Sequence, residues 1–144
     1  MNAPSIHGIL ESILYGDDLP AMQSFYANVM GLEQVAFEPD RHIFFRCGNG
    51  MLLIFHPRST SETDVTVGDA VIPRHGATGP GHLAFSVSAS TLSDWQQHLA
   101  KMQVDVESII TWSADRPQVR SIYFRDPAGN SVELACPKLW NLAE

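Results

Sequence analysis

One order of strand-like and helix-like stretches occurs twice along this chain, and that repetition constrains the fold more than any single residue. In the first copy, Ile6–Tyr15 is rich in Ile and Leu and reads as a strand. Asp18 offers an N-cap and Pro20 suits a first helical turn. Met22, Phe25, Tyr26 and Val29 recur at i, i+3, i+4 and i+7, which makes one apolar helix face, and Gly31 is a C-terminal stop. Leu32–Phe37, Arg41–Arg46 and Met51–His56 then read as strands, separated by the turns Glu38-Pro39-Asp40 and Gly48-Asn49-Gly50. The second copy opens with the strand His82–Val87. Ser90 is placed to cap a helix with apolar Leu92, Trp95, Leu99 and Met102, and the strands Val104–Trp112, Val119–Arg125 and Ser131–Cys136 follow. The expected class is α+β: two βαβββ modules whose sheets curve toward each other into a cupped mixed sheet. A single domain over residues 1–144 is expected, with module one at about 6–56, a linker at about 57–80 and module two at about 81–136.

The linker, Pro57–Pro80, is rich in Ser, Thr, Gly, Asp and Pro, with room for short strands at Val65–Val67 and Ala70–Ile72. Connections of this length are often functional. A chain of 144 residues is long enough to bury a good core. Nine Lys and Arg against sixteen Asp and Glu give a net charge of -7, the wrong balance for binding nucleic acid by counterion release. No apolar run approaches the roughly 20 residues that span a bilayer, so no membrane partner is expected. The first residues lack the basic and apolar regions of a secretory signal, and the expected compartment is the cytoplasm. Cys47 and Cys136 are not in a CxxC spacing and read as reduced core thiols.

Glu11, His82 and Glu133 each interrupt a strand that otherwise reads as buried. Isolated buried charges cost several kcal/mol, so each needs a partner, and one shared divalent metal would satisfy all three. Strand side chains alternate faces. His82, Ala84 and Ser86 therefore share one face, and Ser131, Glu133 and Ala135 share another, both small and polar enough to line a cavity. Glu11 occupies in copy one the strand that His82 occupies in copy two, and the repeat mate of Glu133 is about Leu53. Spacing alone leaves other readings open: His82 as a satisfied core histidine, Glu133 as an exposed acid on an edge strand, Glu11 paired with Arg41, Arg46 or Arg120. His7, His42, His75 and His98 show no usable partner spacing.

Four segments carry a family likeness. They are Tyr15-Gly16-Asp17-Asp18-Leu19 with Phe25-Tyr26 and Val29-Met30-Gly31-Leu32, then Gly81-His82-Leu83-Ala84-Phe85-Ser86-Val87, then Ser121 through Leu134 with its DPAGN turn, and more loosely Met51–His56. Over nearly its whole length the chain resembles the vicinal oxygen chelate superfamily, the group of glyoxalases, bleomycin-resistance proteins and extradiol dioxygenases. The resemblance implies a glyoxalase-like fold of paired βαβββ modules with a metal in the cupped sheet. It assigns the first ligand to the position seven residues before the Asp of Asp18-Leu19, which is Glu11, where His is commoner in the family. The other ligands implied are His82 and Glu133, with Glu133 doubling as the catalytic carboxylate.

The departures narrow the chemistry. Lactoylglutathione lyases usually add a fourth ligand at the position of Leu53, which cannot ligate. Extradiol dioxygenases carry a His shortly before the hairpin Tyr, where this chain has Ala114, Asp115 and Arg116. A Glu in the first ligand position tilts the site toward Mn²⁺, Mg²⁺ or Fe²⁺, with Zn²⁺ and Ni²⁺ also compatible. His56, Trp112, Arg120 and Tyr123 are the candidate substrate-binding residues, and Arg125 is a further candidate for an anionic group. The leading expectation is a metal-dependent glyoxalase-like enzyme of isomerase, epimerase or thiol-transferase type, acting as a homodimer by Lewis-acid catalysis on a small oxygen-chelating substrate. The alternatives are a metal-free drug-binding protein of the bleomycin-resistance kind and a ring-cleaving dioxygenase.

Overall fold

The computed structural model describes residues 2–144. The chain forms two compact units, one running to Thr78 and one beginning at Gly79. In the first, strands β1 (Glu11–Tyr15), β2 (Glu33–Glu38), β3 (His42–Cys47) and β4 (Gly50–Phe55) form a four-stranded sheet in the order β1-β4-β3-β2. Pairing of β1 with β4 is parallel, and the other pairs are antiparallel. In the second, β7 (His82–Ser86), β8 (Val106–Thr111), β9 (Arg120–Arg125) and β10 (Ser131–Ala135) repeat that plan in the order β7-β10-β9-β8. Between them, β5 (Val65–Val67) and β6 (Ala70–Ile72) pair as a hairpin at the two segments expected from sequence. The mixed α+β, βαβββ architecture is therefore the observed one.

The repeat extends to the register. Glu11 lies opposite Met51, two residues before Leu53. His82 lies opposite Ser131, two residues before Glu133. Within their own sheets, Glu11 and His82 are thus equivalent positions, as are Leu53 and Glu133. Even the irregularities match: the edge strand β2 shifts register between Gln34 and Ala36, and β8 does so between Val106 and Ser108.

Period-two alternation explains which face of each sheet is covered. Ile43, Phe45, Leu52 and Ile54 share one face of the first sheet and are buried, together with Met22 and Tyr26 from the helix. In the second, Ile122, Phe124, Val132 and Leu134 share a face and are buried, with Leu92 and Leu99 of helix α3 (Leu92–Lys101). The helix of the first unit, α1 (Leu19–Ser24), starts as the sequence indicates: the Asp18 carboxylate accepts the Ala21 N–H at 3.0 Å. Asp18→Ala leaves that N–H without its cap and is expected to cost about 1 kcal/mol in chemical denaturation. Gly31 follows the helix with φ 69°, a conformation that penalises any side chain.

Several boundaries differ from the sequence reading, each for a physical reason. The first strand begins at Glu11 and not Ile6, because its ladder partner begins only at Gly50. The Leu10 carbonyl accepts from Met51 N, and a Cβ at position 50 would stand 2.9 Å from Leu10 O. After Ser24 the helix widens into a π turn, Phe25–Val29, closed by Met30 N–H donating to Phe25 O. That turn still buries Phe25, Tyr26 and Val29. Ser90 is not the cap of α3: it lies within a 3₁₀ turn, Ala89–Thr91, that leads into the helix. The linker also holds a short helix α2 (Pro57–Ser61), with proline in its first turn, which its Ser/Thr-rich composition conceals. Both cysteines are free, and Cys136 is buried.

Candidate metal centre

The site begins with a turn. In Asp126-Pro127-Ala128-Gly129-Asn130 the buried Asp126 carboxylate accepts three hydrogen bonds. The N–H groups of Ala128 and Asn130 donate to Oδ1, both at 2.9 Å, and the Asn130 amide donates to Oδ2 at 2.8 Å. Gly129 makes the turn with φ 81°. The Asn130 side-chain Oδ1 then accepts the Gly81 N–H at 2.7 Å, and Gly81 O accepts from Ser131 N at 2.9 Å. One hydrogen-bonded knot therefore fastens the residue before His82 to the strand that carries Glu133.

β10 lies between β7 and β9, so Glu133 is on a central strand and only 6% exposed. The edge-strand reading of this residue is excluded. Its neighbours are Ala84 on the parallel side and Tyr123 directly opposite on the antiparallel side. The His82 Nε2 stands 3.2 Å from Glu133 Oε2, while His82 Nδ1 is 3.0 Å from the Ser131 carbonyl oxygen. A carbonyl only accepts, so Nδ1 carries the proton. The His82 side chain is half exposed, so Nε2 meets the Glu133 carboxylate at the edge of solvent, where a cation could bridge the two. Glu133 Oε1 is buried and receives no hydrogen bond. An imidazole with an oriented lone pair beside a carboxylate with an orphaned oxygen is a donor set that fits a divalent cation.

Tyr123 closes one side. Its ring lies roughly parallel to that of His82, with centroids 6.3 Å apart. Burial, and then the Glu133 carboxylate beside it, raise the pKa of its hydroxyl above the usual tyrosine range. Ser121, two residues earlier on the same face, is fully buried, and its Oγ accepts the Trp112 indole N–H at 2.7 Å. Ser121 was not singled out in the sequence. Its signal was a small hydroxyl in register with Tyr123 on an otherwise bulky strand.

The other candidates have their own surroundings. Arg120 alternates with Ser121 and Tyr123, which puts it on the face of β9 away from Glu133. Arg125 is held by both carboxylate oxygens of Glu107. His56 follows β4, its Nε2 3.9 Å from Asp17. Glu11 is exposed on β1 of the first unit. Arg46, one partner considered for Glu11, bonds Glu33 instead. Among the described residues, no group of three or more His, Cys, Asp or Glu is gathered to hold a metal ion. Within the second unit the structure brings His82 and Glu133 together.

Two βαβββ sheets, one of them carrying a His–Glu couple across its neighbouring edge and central strands, define a class of fold and site. The Glyoxalase/Bleomycin resistance protein/Dioxygenase superfamily model matches residues 6–134, and the chain belongs to that superfamily. Among solved structures it is similar to a lactoylglutathione lyase from Agrobacterium tumefaciens, 39% identical, with 96% of this chain and all of that one covered and a TM-score of 0.88. An integron cassette protein from V. cholerae is 24% identical, with 94% and 99% covered and a TM-score of 0.68. A variant of the fosfomycin resistance protein FosX from Listeria monocytogenes, complexed with Mn(II) and a dihydroxypropylphosphonic acid, is 19% identical, with 91% and 90% covered and a TM-score of 0.65. No curated protein matches the sequence significantly. No helix among the described residues is long and apolar enough to cross a membrane.

Proposed function

We propose that this chain is a cytoplasmic, metal-dependent enzyme of the glyoxalase-like group. His82 and Glu133 would hold a divalent metal, with Glu11 as the third protein ligand and two copies of the chain forming the functional unit. The observation that carries the reading is the His82–Glu133 pair with its orphaned, buried Oε1, an acceptor that a bound cation would satisfy. The kinship with a lactoylglutathione lyase supports an isomerising or thiol-handling reaction. Ile6, Ile9 and Leu10 are 90%, 83% and 75% exposed, and so apolar a segment supports a second copy as its cover.

A divalent metal held by these residues would supply Lewis acidity to a substrate oxygen. The chain's own residues do the rest. The Ser131 carbonyl fixes the His82 ring and its tautomer. Trp112 offers a flat wall, 47% exposed, with its N–H already satisfied, so the ring is free to meet substrate carbon. Tyr123, kept protonated by burial and by Glu133, presents a neutral hydroxyl beside the carboxylate.

Bound-metal analysis of protein purified without added metal, beside Glu11→Ala, His82→Ala and Glu133→Ala, tests the reading. Roughly one equivalent per chain in wild type, and loss in each variant, is the expected result. Equal metal content in all four proteins would sink the assignment. Ligand binding indifferent to chelator would move the chain to the drug-sequestering members instead.

A further inference from the structure

We propose that Arg125 anchors an oxyanion of the substrate, a carboxylate, phosphonate or phosphate carried beyond the oxygens that a metal at His82 and Glu133 would bind. The proposal rests on the metal-site reading above and deepens it.

Arg125 ends β9 on the same face as Tyr123, and its ladder partner is Ser131. Ser131 is in turn paired with His82. One row across the second sheet therefore runs His82, Ser131, Arg125, with a small serine between the imidazole and the guanidinium. Neighbouring strands lie about 4.8 Å apart, so the two outer residues leave the backbone about 10 Å from each other, a span suited to a molecule of a few carbons. Glu133 is the next residue of β10 on that face.

The guanidinium is fixed at three points. Nε donates to Glu107 Oε2 at 2.6 Å, Nη2 to Glu107 Oε1 at 3.0 Å, and Nη1 to the Gly129 carbonyl oxygen at 3.2 Å. An arginine carries five N–H groups. These bonds leave one N–H on each terminal nitrogen, and the side chain is 47% exposed, so an incoming anion can reach both. Glu107 offsets charge and removes flexibility. What it leaves is a planar donor group held in place before the ligand arrives.

The first sheet offers a comparison. Arg46 holds the equivalent position there, in the row of Glu11 and Met51. It bonds Glu33, its own ladder partner, through Nε at 3.1 Å. Both edge strands carry a bulge, but the extra residue is Val35 in β2 and Glu107 in β8. Bulges re-aim side chains. The one in the second sheet sets a carboxylate against Arg125, and the turn at Gly129 adds a further hold. A clip for an edge strand, as in the first sheet, needs neither.

Inorganic phosphate is the first probe, titrated by calorimetry into the metal-free protein. Wild type is expected to bind it, and Arg125→Gln to bind it about tenfold more weakly, the loss expected for hydrogen bonds to a charged group. Arg125→Lys, which keeps the charge but not the planar donors, should recover only part of that loss. Equal phosphate affinity in wild type and in folded Arg125→Gln would overturn the proposal.

The second probe is a pair, glycerate and 3-phosphoglycerate. They share a hydroxy-carboxylate that can chelate and differ in the phosphate. With Mn²⁺ present, wild type is expected to prefer the phosphorylated member about tenfold, and Arg125→Gln to lose that preference while holding Mn²⁺ as wild type does. An undiminished preference in the variant would refute the anchor. If wild type bound phosphate through Arg125 but took up no divalent metal, the metal reading alone would fall.

Discussion

Glu133→Gln is expected to make the metal-free protein more stable and to abolish its response to metal. The wild-type carboxylate is almost fully buried, with one oxygen that receives no hydrogen bond. An orphaned buried acceptor costs about 1–3 kcal/mol, and more when charged. The amide removes the charge, keeps the shape, and brings an N–H₂ donor toward the His82 nitrogen 3.2 Å away. A gain of about 1 kcal/mol in urea unfolding of the apoprotein is expected. With Mn²⁺ at a hundred times its dissociation constant, wild type should gain about 2.7 kcal/mol and Glu133→Gln essentially nothing. An apoprotein weakened by the amide, or a variant still stabilised by Mn²⁺, would contradict the account of the site.

The second large effect is expected at Asn130→Ala, in the turn that leads into the site. Asn130 is 2% exposed and has two tasks: its amide donates to Asp126 Oδ2, and its side-chain Oδ1 accepts Gly81 N–H. Removing it strips a charged acceptor of one donor and leaves a backbone N–H without its partner. The two losses together put the cost at about 3 kcal/mol. The damage should not stop at stability. Gly81 is the residue before His82, so loosening it unfastens the imidazole from the Glu133 strand. A fall in Mn²⁺ affinity that persists at temperatures where the variant is fully folded would show this. A variant with lower stability but unaltered affinity would show that the knot is purely structural.

Much of the fold was legible because both sheets bury one face. Alternation in Ser131–Cys136 separated Glu133 from Val132 and Leu134, and the helix period in Met22–Val29 survived even the π turn, since burial follows the face and not the hydrogen-bond ladder. Boundaries were less legible where they depend on a partner. Nothing in Ile6–Leu10 announces that β4 has no residues left to pair with it. Ser90 looks like a cap, yet a preceding 3₁₀ turn had already started the helix. In the site, His82 and Glu133 stood out as polar residues in apolar strands, and the structure places them within 3.2 Å. Arg120 was attractive by charge alone, and parity within β9 was enough to turn it to the other face. Ser121 was passed over because a single hydroxyl carries no charge to betray it. Only the indole at 2.7 Å reveals its use.

The matched registers have a consequence for how such a chain changes over time. Leu53 stands in its sheet where Glu133 stands in the other, on the same strand of the motif and two steps past the same partner. In such a repeated scaffold each position of one sheet has a counterpart at the same register in the other. New coordinating atoms can be gained or discarded by exchanging one side chain at a time, with the main chain already in place. Diversity of chemistry across such a lineage would then be written in a few codons at equivalent addresses, while the architecture stays constant.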